Sequence, residues 1–499
     1  MSKEATVSLE VKNEDRQAAL GDLREFIRIA GERKELEIIK GADAHLEMGA
    51  LYELSLEKRF PPLLLFDDIK GYPTGHRVLM NVRFSRLFSA DLSMESLKAF
   101  RKRSKWEGDP IPPVEVNTGP VCENILRGDQ VNIRAFPAGH WHEHDGGPYI
   151  GTECLIINKD PDSGWVNVGT YRTQVQDEKT LTVFIEPGKH GSFIREKWWA
   201  RGKACPIVVC VGQAPILGMV ASTASRHGVS ELDTAGGRLG QPIKIIRGEL
   251  TGLPIPADAE LVFEGFMPPP EEETRPEGPF AEWPGYYATD AGAEPVVRVG
   301  AIYHRNNPIL IGQPPAKPTF PGRQQSLGGM AAIWDALEAA GVPGIQGVWK
   351  PLGGGVSFVN VISVKQLHPG HAKMVGLVAA GCGPAAYMTR VIIVVDDDID
   401  ITDTAEVMWA LATRWDPKTQ TDIIDGCWTG HIDPLLSPEK RAASDLTTAR
   451  IILYATRPYH WKDQFPKVNT VSKSYADEIE QKWAGKLKFL ARQRQRIVE

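Results

Sequence analysis

Nothing in these 499 residues repeats, no tract is of low complexity, and no stretch approaches the ~20 apolar residues that a helix needs to cross a bilayer. An excess of positive charge is missing too. Lys and Arg total 57 against 63 Asp and Glu, a net charge of -6, so no basic surface advertises a nucleic-acid or anionic-membrane partner. The opening Met-Ser-Lys-Glu-Ala-Thr has no apolar core of signal-peptide length, which predicts a cytoplasmic protein without a membrane span. The six cysteines (Cys122, Cys154, Cys205, Cys210, Cys382, Cys427) include no Cys-x-x-Cys pair. That removes the usual zinc and redox motifs and predicts reduced, mostly buried thiols. What these absences leave is small-molecule chemistry.

A chain of 499 residues and 55.0 kDa exceeds what one hydrophobic core organises, and about two to four domains follow from its length. The first hundred residues mix helical periodicity (Leu20 to Ala30, Leu92 to Arg103) with extended runs (Pro62 to Phe66, Arg77 to Val82). A Pro-rich stretch, Gly108 to Pro113, then opens a region of short β-rich runs: Tyr149 to Ile157, Trp165 to Gln174, Leu181 to Ile185, Ile207 to Val211, Ile243 to Arg247 and Val296 to Ile302. Strands at that density between Gly, Pro and Asp turns predict a barrel or compact sandwich. Beyond residue 325, helical segments (Met330 to Ala340, His371 to Ala380, Asp403 to Arg414) alternate with β-branched runs (Phe358 to Val364, Val391 to Val395, Ile451 to Tyr454). Alternation of this kind predicts βαβ units and a largely parallel sheet. Ser474 and Asp477 resemble a capping box opening a last helix that reaches about Arg492. The expected fold class is α/β in the broad sense, an α+β multidomain chain. Its parts are an N-terminal α/β unit (1–110), a central β-barrel-like domain (111–324), a C-terminal α/β domain (325–470) and a terminal helix (471–499).

Chemistry-bearing residues concentrate in two places. Glu277 and Glu282 belong to the run Glu-Gly-Pro-Phe-Ala-Glu, where Gly278 and Pro279 rule out a regular helix and favour a turn that lets both carboxylates face one cavity. Neighbouring carboxylates do not ionise easily together, so one pKa rises and that group can carry a proton near neutral pH as a general acid. Taken alone, such a pair is more often solvated surface. Upstream, Asn167 and Arg172 lie in one β-rich run, the next strand leads to His190, and Glu231 precedes Ala235-Gly236-Gly237. Oxygen and imidazole donors of this kind suit Mn2+ or Mg2+ bridging a phosphate. Asn167 and Arg172 are an odd number of positions apart and would face opposite sides of a regular strand, with Gly169 the place for a corrective bulge.

Six ordered motifs, Asn167-x-x-x-x-Arg172, Lys189-His190, Ser230-Glu231-x-x-x-Ala235-Gly236, Glu277-Gly-Pro-Phe-Ala-Glu282, Gln366-Leu-His-Pro-Gly-His-Ala372 and Val394-Val-Asp-Asp-Asp-Ile-Asp400, span most of the chain. Together they resemble the UbiD-like decarboxylases, which use prenylated flavin mononucleotide. The resemblance implies a divalent metal, Mn2+ or Mg2+, on Asn167, His190 and Glu231 that grips the cofactor phosphate, and a K+ or Na+ near the backbone of Ala221 and Ser222. It implies cofactor contacts from Asn167, Val168, Gly169, Thr170, Tyr171, Arg172, Lys189, His190, Glu231 and Arg390. It makes Arg172, Glu277 and Glu282 the catalytic network, with Glu282 the proton donor. The implied reaction is reversible decarboxylation of an aromatic, heteroaromatic or α,β-unsaturated acid. The implied partners are a flavin prenyltransferase that supplies the cofactor and a second copy of the chain, as a homodimer or a multiple of dimers through the C-terminal domain.

Other motifs read as structural. His140-Trp-His142-Glu-His144 offers alternate histidines on one strand face, but the family implies no metal there, and a structural or substrate-access role is the expectation. His368 and His371 flank Gly370 at a helix start and suit capping or packing, Asp396 to Asp398 suit polar contacts, and Gly353 to Gly355 lacks the Lys-Ser/Thr of a phosphate loop. Ala281 stands where many family members have Gly, which leaves the acid in place, and Trp283 and Pro284 are expected to narrow the pocket. His431 falls in a run expected near the substrate. Two rivals remain: a plain flavin oxidoreductase, and a non-catalytic flavin carrier or assembly partner. An intact Arg172, Glu277 and Glu282 set argues against the carrier, which has no need of a poised acid.

Overall fold

The computed structural model describes residues 13–85, 87, 92–104, 109–223, 228–320, 327–352, 357–483 and 486–487. The Gly353 to Gly355 run lies outside them, as do residues 484–485 and 488–499 of the expected last helix; the described Lys486 and Leu487 are not helical. Among the described residues the strands form four sheets.

The largest is a ten-stranded antiparallel sheet whose spine is the 13-residue strand Gly292–His304. That spine pairs with Thr180–Val183, Leu261–Met267, Asn124–Arg127 and, at its start, Thr274–Glu277. The sheet's edges are Tyr149–Gly151 and Val166–Gly169, and among the described residues no ladder closes one onto the other. Burial on both faces explains its composition. In Cys205–Val211 every residue is buried. Ile207, Val209 and Val211 point into one core, while Val208 and Cys210 point into another beneath the helices Pro215–Ala221 and Glu231–Leu239. Period-two geometry sends alternate side chains to opposite faces, and each fully buried Val or Ile contributes about 1.5–3 kcal/mol.

The expected single strand from Trp165 to Gln174 is two strands, Val166–Gly169 and Thr173–Val175, near opposite ends of the sheet order. No bulge is involved. The chain leaves the sheet after Gly169, where an added Cβ would lie 2.7 Å from the Tyr171 ring, and re-enters at Thr173. Asn167 and Arg172 thereby serve different parts of one region.

The N-terminal sheet comprises Leu36–Lys40, Leu63–Asp67, Arg77–Met80 and the distant strand Ile309–Ile311, which pairs in parallel with Arg77–Met80. The C-terminal sheet runs Ile345–Trp349, Val359–Val364, Val391–Asp396, Thr447–Ala455, Thr421–Trp428, parallel through its three central strands and antiparallel at both edges. The mixed α/β multidomain architecture is the one expected. The capping expectation shifts by two residues: the last helix, Lys473–Trp483, begins before Ser474, and the Ser472 hydroxyl accepts the Tyr475 N–H at 3.3 Å. His371 does act at a helix start, its Nδ1 accepting the Leu367 N–H at 3.1 Å. Asp396 is buried and accepts from Arg414 and Arg457, both at 3.1 Å. All six cysteines are free thiols; Cys154, Cys205 and Cys210 are buried and the other three partly covered. Among the described residues no helix is long and apolar enough to cross a membrane.

Candidate active site

Arg172 stands just before the strand Thr173–Val175, and Glu277 ends the strand Thr274–Glu277. The two meet through a fork: Arg172 Nε donates to Glu277 Oε1 at 2.8 Å and Nη2 to Oε2 at 2.7 Å. Tyr149 also donates its hydroxyl to Glu277 Oε1, at 2.7 Å. Arg172 Nη1 donates to Glu282. All three charged residues are buried, and the guanidinium lies 4.1 Å from the Phe184 ring centroid. A bidentate pair buried in this way neutralises itself, so Glu277 and Arg172 form one locked unit.

Glu282 is the unequal partner. Burial raises its pKa, the Arg172 guanidinium pulls it back, and Glu277 and Glu186 push it up again, to about 7. A carboxyl in that range holds its proton on roughly half the molecules at neutral pH and can also give it up. Glu294, which lies diagonally from Glu277 across the Thr274–Glu277 ladder, is likewise lifted to about 7 by burial and by Glu277.

The acid-bearing turn is held from outside. Gly278 precedes a cis Pro279 and has φ +86°. Gly146 donates its N–H to Pro279 O at 2.7 Å, and a Cβ at Gly146 would fall 1.8 Å from Gly278 O. Asp145 Oδ1 accepts the Ala281 N–H at 3.1 Å, one residue before the acid, and Glu282 donates its own N–H to Tyr286 O.

A second cluster gathers around the strand Val166–Gly169, against which the helices His190–Trp199 and Glu231–Leu239 both pack. Glu231 is buried and its Oε2 accepts the Val168 N–H at 2.8 Å. Asn167 Nδ2 donates to Asn158 Oδ1 at 3.0 Å, and Asn158 in turn donates to Gly191 O at 3.1 Å, which ties the strand to the residue after His190. The His190 ring meets Trp165 edge-on at 4.9 Å. Among the described residues no three His, Cys, Asp or Glu side chains are spaced to hold a metal. The Asn167 amide oxygen, the His190 imidazole and the Glu231 carboxylate are oxygen and nitrogen donors of a kind that suits Mn2+ or Mg2+. Ser222, at the end of Pro215–Ala221, donates its hydroxyl back to Met219 O at 3.0 Å. Its hydroxyl proton is thereby committed within the helix, while the oxygen keeps its acceptor capacity.

The C-terminal unit closes the far side. Buried Glu186 accepts from the Tyr387 hydroxyl and, at 2.8 Å, from the His431 N–H. Lys189 Nζ lies 3.9 Å from the Tyr387 ring centroid, and burial pushes its pKa down. Trp283, directly after the acid, faces Phe358 with centroids 6.1 Å apart. Arg390 forms an ion pair with Asp433 at 2.6 Å. His431 offers Glu186 its backbone, and burial lowers the pKa of its imidazole.

Tyr149, Asp145, Glu186, Tyr387 and Glu294 were not singled out for this site from the sequence. Tyr149 and Asp145 bracket the run Asp145-Gly-Gly-Pro-Tyr149, whose glycines are a signal of close backbone approach, but Glu277 is 128 positions away from Tyr149 and no local pattern pairs them.

Comparison with known proteins matches two family models, the 3-octaprenyl-4-hydroxybenzoate carboxy-lyase (UbiD) Rift-related domain over residues 113–318 and the C-terminal domain of the same family over residues 325–455. Pyrrole-2-carboxylic acid decarboxylase of Pseudomonas aeruginosa is 31% identical over 431 residues, which cover 79% of this chain and 83% of that one. Phenolic acid decarboxylase of Bacillus subtilis is 30% identical over 412 residues, covering 80% and 84%. Among solved structures, the UbiD-class enzyme HmfF from Pelotomaculum thermopropionicum in complex with FMN is 29% identical with a TM-score of 0.76, covering 91% of this chain and 99% of that one. An evolved dimeric form of it in complex with prFMN is 27% identical with a TM-score of 0.74 and the same coverage.

Proposed function

The chain belongs to the UbiD family of carboxy-lyases, and from that premise we propose that it removes CO2 from an sp2 carbon of an aromatic, heteroaromatic or α,β-unsaturated acid, with prenylated FMN as cofactor and Glu282 as proton donor. The observation that carries this reading is the buried Glu277, Arg172, Glu282 arrangement, in which one carboxylate is locked to the guanidinium and the other titrates near neutral pH. Relatives named for pyrrole-2-carboxylic and phenolic acids support the aromatic class.

Loss of CO2 from a carboxylate leaves an electron pair on carbon and consumes one proton. The prenylated flavin, when bound, supplies the electron sink. Glu282 gives its carboxyl proton to the carbon that has lost CO2 and takes one back from solvent before the next turnover. Arg172 stabilises the carboxylate that Glu282 becomes and orients the substrate carboxylate. Glu277, fixed by the fork and by Tyr149, prevents the guanidinium from committing wholly to Glu282, which would drain the acid of its proton. Phe184 and Phe280, whose ring centroids lie 4.1 and 5.4 Å from the guanidinium, keep water from these charges.

In the same proposal Asn167, His190 and Glu231 hold Mn2+ or Mg2+ for the cofactor phosphate, residues 167–172 with Lys189 line the flavin, and the backbone at Ala221 and Ser222 takes K+ or Na+. Arg390 contacts cofactor or substrate, a flavin prenyltransferase supplies the cofactor, and two copies associate through the C-terminal domain. The test is co-expression with a flavin prenyltransferase, then absorbance and mass of the bound cofactor, then CO2 release from a panel of aromatic acids. Release from at least one acid is expected. Failure on every acid with the cofactor fully loaded favours a flavin carrier.

A further inference from the structure

The histidine run His140-Trp-His142-Glu-His144 takes no part in the chemistry above, yet it leads directly into Asp145 and Gly146, the residues that grip the acid-bearing turn. We propose that His142 is a positioning residue: as an imidazolium clamped between Glu53 and Asp145, it fixes the Asp145 carboxylate on the Ala281 N–H and so sets where Glu282 stands. The inference rests on Glu282 as proton donor.

The geometry forms a chain of three contacts. His142 Nε2 lies 3.3 Å from Glu53 Oε1 and His142 Nδ1 lies 3.4 Å from Asp145 Oδ2, long for hydrogen bonds and within reach of ion pairs. Asp145 Oδ2 also accepts the His142 N–H at 3.0 Å, while its other oxygen takes the Ala281 N–H at 3.1 Å. The Asp145 side chain is fully covered, so its charge has little solvent to satisfy it. Glu53 comes from the helix Glu47–Ser55, which is pressed onto the histidine run: a Cβ at Gly49 would fall 1.9 Å from Trp141 O. The N-terminal unit thereby supplies the second carboxylate that keeps the ring charged.

Groups facing His142 are the carboxylates of Glu53 and Asp145 and the His140 imidazole, which meets His45 at 4.8 Å between ring centroids. The Tyr287 phenol, packed on His144 at 5.7 Å, reaches Asp145 from the other side and is pushed upward by burial and that carboxylate. Burial disfavours the charged His142 ring, but pairing with Asp145 and Glu53 outweighs it and lifts the pKa to about 9. His140, by contrast, is lowered by burial and by His45. A single protonated ring therefore balances two carboxylates.

The test is made on cofactor-loaded protein, with kcat and KM measured from pH 6 to 10 for the wild type, His142→Ala, His142→Asn and Glu282→Gln. His142→Ala should lower kcat roughly tenfold to a hundredfold with KM nearly unchanged, the usual cost of a misplaced catalytic group. In the wild type, log kcat should fall with slope -1 above the Glu282 pKa of about 7 and steepen to -2 above about 9 as His142 loses its proton and its charge. In His142→Asn, whose amide does not titrate in this range, the second break should vanish. A wild-type kcat in His142→Ala, or a second break that persists in His142→Asn, overturns the proposal. Histidine 15N NMR on the wild type decides the matter even if the variants fold poorly: an imidazolium at pH 8 supports it, and a neutral His142 sinks it. Full activity in Glu282→Gln would instead defeat the proton-donor reading, a separate failure.

Discussion

Replacing Arg172 by Leu removes the cation that compensates a buried carboxylate. Glu277 is 1% exposed and receives two guanidinium hydrogen bonds, so in the variant it must either stay charged in an apolar site or take up a proton. Taking up a proton is the cheaper course. At pH 7 it costs about 1.4 kcal/mol for each unit above the ordinary glutamate value of ~4.3, or roughly 3.8 kcal/mol. Breaking a buried pair from one side typically costs ~3–5 kcal/mol, in agreement. The folded variant binds a proton that its unfolded chain has released, so its deficit relative to the wild type grows as pH rises. Urea unfolding followed by tryptophan fluorescence should therefore show Arg172→Leu destabilised by about 3–5 kcal/mol at pH 7 and by roughly 1 kcal/mol at pH 5. A deficit below about 1 kcal/mol at pH 7, or one that does not change with pH, would refute the claim that Glu277 is charged and depends on this cation.

The pH profile of turnover should have its first alkaline limb near 7, because burial raises the Glu282 carboxyl to about 7 and only the protonated form can donate; activity that is flat from pH 6 to 9 would contradict it. Gly146→Ala places a Cβ 1.8 Å from Gly278 O, so it should cut kcat severely while thermal unfolding drops by only a few degrees, since the strain falls on the turn rather than the sheet. A normal kcat in that variant would mean that the turn does not need this approach. Glu231→Gln and His190→Ala should each reduce the flavin that co-purifies per chain, measured by absorbance, several-fold or more; undiminished flavin in both would remove the phosphate-side metal from the account.

Legibility in the sequence followed the range of the interactions. The Gly278-Pro279 turn brings Glu277 and Glu282 together within six residues, so the pair could be read from its own run, and Arg172 followed from the ordered motifs. Tyr149 and Asp145 could not, because their partners lie more than a hundred residues away and only the sheet brings them near. The same limit explains Ile309–Ile311, a short apolar run with nothing local to announce a parallel pairing with Arg77–Met80. Trp165 to Gln174 read as one strand because its β-branched and aromatic residues continue across Gly169; the Tyr171 ring, packed on Gly169 and on the distant Gly191, accompanies the exit from the sheet. In the C-terminal unit the alternation of helices with β-branched runs was enough for the parallel centre of the sheet, while the antiparallel edge Thr421–Trp428, polar and half-exposed, carried no such signal.

In Glu282→Gln the amide keeps a hydrogen-bonding partner for Arg172 but cannot donate to carbon, and the flavin site proposed around Asn167, His190 and Glu231 is untouched. With the cofactor fully loaded, the variant should keep the wild-type absorbance spectrum while CO2 release from a substrate acid falls by roughly 10²- to 10⁴-fold. Undiminished release with the same spectrum would contradict the assignment of Glu282 as the acid.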